Sequence, residues 1–177
     1  MTNATGVEQK RDLESSLHAE DKVELRVWLR LLTCSNLIER QVRRGLRQEF
    51  ETTLPRFDVL AQLDRAPDGM TMGQLSSHLM VSNGNITGLI DRLIQEDLVT
   101  RSPAPEDRRT QVVHLTESGR AAFEAMAPVH ESWIADLLAG VAREDLSELL
   151  ELLARVKQSL ESSPKTSPRT SLSEEDK

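Results

Sequence analysis

Thirty residues, DKVELRVWLRLLTCSNLIERQVRRGLRQEF from Asp21 to Phe50, run without a proline. Leu25, Trp28, Leu29 and Leu32, then Ile38, Val42, Leu46 and Phe50, recur at the spacing of one helix face. Such a helix spans roughly 45 Å, longer than a small core is wide. Part of its apolar face must therefore meet something beyond its own domain, and a second subunit is the economical cover. The rest of the chain must fit around that helix. At 177 residues it is long enough for one core without metal or disulfide support, and its richness in Leu, Ala, Glu and Arg favours helix over a β-sandwich.

LPRFDVLAQLDRAPDG has Pro55 at a favoured first helical position and stops at Pro67-Asp68-Gly69, which predicts a short helix. Thr71 and Gln74 form a capping box that opens TMGQLSSHLM. Met80-Val81 turns the chain, and Ser82 caps SNGNITGLIDRLIQED, whose Ile86, Leu89, Ile90 and Leu93 give one buried face. Short helix, turn, second helix is the helix-turn-helix pattern. LVTR at 98–101 and QVVHL at 111–115 read as strands flanking SPAPEDRRT, where Pro103 and Pro105 suit a loop or an edge. This hairpin is a wing. Thr116 caps TESGRAAFEAMAPVHESWIADLLAG, which Pro128 is expected to bend and Gly140 to end. Leu146, Leu149, Leu153, Val156 and Leu160 then alternate by three and four, the spacing of a helix–helix seam, either within one subunit or in a dimer layer.

These elements predict a mostly α fold with a small β-wing: a winged helix-turn-helix over 55–116 in a single domain spanning 21–160. Helices over 21–54 and 117–160 would form a dimerisation layer. Residues 1–20 read as an extension, partly disordered or a short helix. Residues 161–177, rich in Ser, Thr, Pro and charge, read as a disordered tail. No apolar run reaches the length of a membrane span and no signal peptide opens the chain, which predicts a cytoplasmic protein without a membrane partner.

The net charge of −7 argues against a general nucleic-acid coat. Between Thr71 and Arg109 the basic residues Arg92, Arg101, Arg108 and Arg109 face five acidic ones, so charge alone does not suggest DNA. The arrangement does. A wing tip carrying Arg108 and Arg109 can enter a minor groove, while Asp107 holds the turn or orients an arginine. In isolation Asp-Arg-Arg would read as a solvated hairpin with ion pairs; the helix-turn-helix before it reverses that reading. On the second helix, Asn83 and Asn85 can pair with adenine edges, Thr87 can meet a thymine methyl or a phosphate, and amides near Ser82 can bind phosphate. Gly84 and Gly88 cost helix stability and ask for a reason. The predicted DNA-binding set is Thr71, Gln74, Ser82, Asn83, Gly84, Asn85, Thr87, Arg101, Asp107, Arg108 and Arg109.

The order long helix, LPRFDVLAQL, TMGQLSSHLMVSNGNITGLIDRLIQEDLVTR, DRRTQVVHLTESG closely resembles the MarR family (multiple-antibiotic-resistance regulators), whose wing signature runs Asp-Arg-Arg, a strand, then Leu-Thr-x-x-Gly. The match covers about Lys22 to Leu160. The resemblance implies a homodimeric regulator binding double-stranded DNA at a palindromic operator, usually repressing neighbouring genes until a small aromatic or phenolic ligand binds. The segment before Asp21, with Trp28, Asp58 and Arg92, is also similar to the urate- and phenolic-acid-responsive branch. That likeness implies a small aromatic acid or aromatic acyl-CoA effector, with Trp28, Asp58, Arg92 and His18 as candidate ligand-binding residues. The alternative is that Asp58 and Arg92 form a structural ion pair and Trp28 is a core or dimer residue.

Cys34 is the only cysteine, which excludes an internal disulfide, and with tyrosine absent it reads as a small buried hydrophobe rather than a redox sensor. His18, His78, His114 and His130 share no short metal spacing, so no metal or cofactor is expected; His78 is placed within reach of phosphate. No catalytic residues can be assembled into an enzyme site. A winged-helix protein-interaction module without specific DNA binding is the competing function.

Overall fold

The computed structural model describes residues 23–79, 83–104 and 109–162, with the side chains of 83–85 outside that description. Where the sequence suggested one domain over 21–160, contacts separate two compact units, Met1–Leu137 and Leu138–Lys177. The first carries α1 (Val23–Phe50), α2 (Leu54–Asp64), β1 (Met70–Thr71), α3 (Met72–His78), α4 (Asn83–Gln95), β2 (Val99–Pro103), β3 (Gln111–Leu115) and α5 (Glu117–Leu138). The second carries α6 (Arg143–Ser162), a helix with no buried residue, whose Leu149, Leu150, Leu153, Val156 and Leu160 are all exposed.

The fold is mostly helical with one three-stranded antiparallel sheet, as the sequence predicts. The strand order is β1-β3-β2. β1 was not foreseen: two residues, Met70 opposite Val113 and Thr71 opposite Val112, are too few to show a period. β2 and β3 pair from Val99↔Leu115 to Pro103↔Gln111. Pro103 is tolerated inside β2 because that strand is a sheet edge.

Local chemistry explains the element boundaries. Thr53 precedes α2 and Pro55 lies in its first turn, where its missing N–H costs nothing. After α2, Gly69 adopts φ +75°, and a Cβ there would sit 2.6 Å from the His114 ring, so only glycine fits the turn into β1. α5 passes through Pro128 as one continuous helix.

The core gathers Val42 and Leu46 of α1, Phe57, Val59, Leu60 and Leu63 of α2, Leu75 of α3 and Ile86, Ile90 and Leu93 of α4, with Val99, Val113 and Met126. Each such side chain contributes about 1.5–3 kcal/mol by leaving water. α1 is divided in its environment. Its C-terminal half supplies both of its buried residues, while Val23, Leu25, Val27, Trp28 and Leu37 are exposed. Among the described residues no helix is long and apolar enough to cross a membrane.

Candidate nucleic-acid interface

The helix-turn-helix consists of α3 and α4. Thr71 caps α3 with both halves of the capping box: its Oγ1 accepts from the Gln74 amide at 3.2 Å, and its own N–H donates to Gln74 Oε1 at 2.8 Å. Two of the expected DNA-binding residues thus set the start of α3. Ile86, Ile90 and Leu93 seat α4 in the core, which turns Thr87, Gly88, Asp91 and Gln95 outward. A Cβ built on Gly88 meets nothing within 4 Å, so no packing among the described residues explains that glycine. Asn83, Gly84 and Asn85 form the first turn of α4; their side chains, and all of Ser82, lie outside the described residues.

The hairpin of β2 and β3 is the wing. Ala104 N–H donates to the Thr110 carbonyl at 2.8 Å at the base of its loop. Arg109 is exposed there, and Asp107 and Arg108 lie outside the described residues. β1 pairs with the wing strand β3 and runs directly into α3, so the wing and the helix-turn-helix hang on one ladder of hydrogen bonds. The far end of the wing is fixed by the Leu-Thr-x-x-Gly sequence. Thr116 N–H donates to the Leu98 carbonyl at 3.2 Å, and the Gly119 N–H donates to Thr116 Oγ1 at 2.9 Å. A Cβ on Gly119 would lie 1.8 Å from the Leu98 carbonyl oxygen, so α5 can start against β2 only through a glycine.

Ion pairs join these elements. Arg101, expected at the DNA, donates from Nη2 to Asp91 Oδ1 at 3.0 Å, bridging the wing strand β2 to α4. Arg56 of α2 forks onto Glu96, just beyond the end of α4, with Nη1 2.7 Å from Oε1 and Nη2 on Oε2. The fork lowers the Glu96 pKa and raises that of Arg56. Among the described residues both arginines keep a buried Nε without a hydrogen-bond partner. Arg56 and Glu96 give no sequence signal, since a residue of α2 and one just past α4, 40 positions apart, share no periodicity.

The expected ligand set is not brought together. His18 lies outside the described residues, Trp28 is 58% exposed, and Arg92 is exposed on α4. Asp58 makes no ion pair with Arg92. The charges acting on Asp58 are Arg43 and Glu39 of α1, which are themselves paired, Arg43 Nε donating to Glu39 Oε1 at 2.9 Å. Burial pushes the Asp58 pKa up to about 6, against the pull of Arg43 and with a smaller push from Glu39. Its neighbour Phe57 packs 4.7 Å from the His130 ring and 5.7 Å from that of Phe123. Trp133 completes this aromatic group against His130 and Phe50, and burial lowers the His130 pKa. Cys34 is exposed, not buried, because it lies in the outward part of α1. His78 is exposed and pairs with Gln62, while His114 meets Ser102. Among the described residues no group of His, Cys, Asp and Glu could hold a metal.

Comparison with known proteins places this geometry. The MarR family model matches residues 52–110, from the start of α2 to the end of the wing loop. The chain is 32% identical over 152 residues to the transcriptional activatory protein BadR of Rhodopseudomonas palustris, covering 83% of this chain and 86% of that protein. It is 32% identical over 114 residues to the HTH-type transcriptional regulator PecS of Dickeya dadantii, covering 63% of this chain and 69% of that one. Among solved structures, a MarR family transcriptional regulator from Silicibacter pomeroyi superimposes with a TM-score of 0.67 at 34% identity, over 77% of this chain and 94% of that one.

Proposed function

Given that the chain belongs to the MarR family, we propose that it is a sequence-specific DNA-binding transcriptional regulator that acts as a homodimer. The observation that carries this reading is the outward face of α4. It is bare at Gly88, rooted in the core by Ile86, Ile90 and Leu93, and coupled through β1 and β3 to the wing. A two-fold dimer would present one α4 per half-site to successive major grooves, about one helical turn apart, with Ser82, Asn83, Asn85 and Thr87 at base edges and phosphates. The wings, through Arg108 and Arg109, would enter the flanking minor grooves. Exposed apolar residues on the outer half of α1 and along α6 support the dimer. A chain that sediments as a 19.9 kDa monomer at working concentration overturns it.

From the family resemblance we further infer repression, relieved when a small aromatic acid or its acyl-CoA ester binds near α2. Arg43, whose charge acts on Asp58, takes the place of Arg92 in this reading and would exchange its Glu39 partner for the ligand carboxylate. Thermal-shift titration with hydroxycinnamate-type acids should show stabilisation that Arg43→Gln removes; equal shifts in both proteins overturn this site.

The central experiment is selection of duplexes from a random pool, followed by salt titration of the selected site. Arg109→Ala should flatten the plot of log affinity against log salt by about one unit per phosphate lost. Asn85→Ala should relax preference at one base pair, worth roughly 1–3 kcal/mol. A pool that yields no enriched sequence favours the protein-interaction module instead.

A further inference from the structure

We infer that two ion pairs, Arg56–Glu96 and Arg101–Asp91, are the positioning residues that set the attitude of α4 for base reading, and that Arg101 acts through Asp91 rather than on DNA. The inference rests on the DNA-binding reading above and assigns roles to four side chains within it.

Three observations carry it. The pairs hold α4 from two different elements, α2 beyond its C-terminal end and the wing strand β2 along its length. A rigid rod held at two points by separate supports has its tilt fixed by them. The two arginine side chains are the more covered partners, Arg56 21% and Arg101 28% exposed, whereas Glu96 and Asp91 are about half exposed. An exposed ion pair contributes little to stability. Each arginine also keeps a buried Nε without a hydrogen-bond partner among the described residues, a desolvation cost that offsets part of what the pair contributes to stability.

The third observation is the place of Asp91. It lies on the outward face of α4, in line with Gly88 and one turn beyond Thr87, where an uncompensated carboxylate would repel phosphate. Arg101 neutralises it from the side. Its head is committed to α4, and replacing it removes both the brace and the neutralisation. Arg56 does the same for Glu96 at the helix end, and its fork is bidentate, which fixes orientation as well as distance.

The test compares wild type, Glu96→Gln, Arg56→Gln, Arg101→Gln and the two reversed pairs, Arg56→Glu with Glu96→Arg and Arg101→Asp with Asp91→Arg. Each protein is titrated against a duplex selected by the wild type and against a scrambled duplex of equal length, over a range of salt. The single variants should lose about tenfold in the ratio of selected to scrambled affinity, the scale of one good base contact. The salt slopes of Arg56→Gln and Glu96→Gln should stay unchanged, Arg101→Gln should in addition weaken both duplexes alike through the exposed Asp91 carboxylate, and each reversed pair should recover most of the ratio. A merely structural role would lower the melting temperature and leave that ratio alone, which overturns the inference. An Arg101→Gln slope reduced by about one unit, not recovered by reversal, shows a direct phosphate contact and also overturns it. If the wild type enriches no sequence, the DNA-binding reading itself falls, an outcome distinct from an enriched sequence with unmoved ratios.

Discussion

Replacing Asp58 with Asn should stabilise the protein at neutral pH and do nothing in acid. The Asp58 carboxyl is carried from 3.8 in the unfolded chain to about 6, chiefly by burial beneath α1, with Arg43 pulling down and Glu39 adding a little. At about 1.4 kcal/mol per pH unit the full shift corresponds to roughly 3 kcal/mol. Asp58 is only partly buried and solvent screens the rest, which leaves about 1–2 kcal/mol. The sign follows from proton binding. Between pH 3.8 and about 6 the folded protein holds this proton and the unfolded chain releases it. The contribution is therefore complete below 3.8, falls as pH rises through 6, and is gone above it. Asn cannot ionise, so it escapes that loss. For a chain of 177 residues, each kcal/mol moves the melting temperature by about 2–4 °C, so Asp58→Asn should melt roughly 3–6 °C above wild type at pH 7.5. At pH 4 the two should nearly coincide. His130, whose pKa is lowered by burial, works in the opposite direction, but it is present in both proteins and cancels in the difference. Melting followed by circular dichroism at half-unit pH steps reads this directly. A gap that stays constant with pH, or widens in acid, would show that Asp58 is not held in its neutral form by burial.

Two glycines should respond with opposite signs. Gly88→Ala adds a methyl group into open space and removes the entropic penalty of glycine in a helix, so stability should rise by about 1 kcal/mol while affinity for a selected duplex falls; unchanged DNA affinity refutes close approach at that face. Gly119→Ala forces a Cβ to 1.8 Å from the Leu98 carbonyl oxygen and should cost more than about 3 kcal/mol in denaturant titration; a loss below 1 kcal/mol would show that α5 can start further from β2 than it does.

Much of this architecture is legible in the chain because its signals are local. Ile86, Ile90 and Leu93 repeat at helical spacing, and the Thr71–Gln74 box announces α3 within four residues. What stayed hidden depends on partners distant in sequence. β1 exists only because Met70 and Thr71 meet β3. The family likeness groups Asp58 with Arg92, yet the charges that act on Asp58 are Arg43 and Glu39 of α1. Cysteine usually lies inside, whereas the outer half of α1, which carries Cys34, is not covered by the described residues. The glycine of Leu-Thr-x-x-Gly could be recognised by spacing; its reason, the Leu98 carbonyl beneath it, needed the fold.

The charge count shows the same limit in a way that bears on function. Between Thr71 and Arg109 acids exceed bases by one, which reads as a poor surface for a polyanion. Three of those acids are already engaged in the fold. Asp91 is held by Arg101, Asp97 accepts from Ser118, and Glu96 is held by Arg56, a cation outside the counted stretch. A linear tally includes Glu96 and omits its partner. Arg56 therefore brings the local balance back to neutral without a single added base on α4, so under the proposed DNA-binding role the arginines of the wing would act against no net field from that helix. An acidic chain can then approach DNA through a small number of placed arginines, provided that its acids near the interface are neutralised from behind by residues that never touch the duplex.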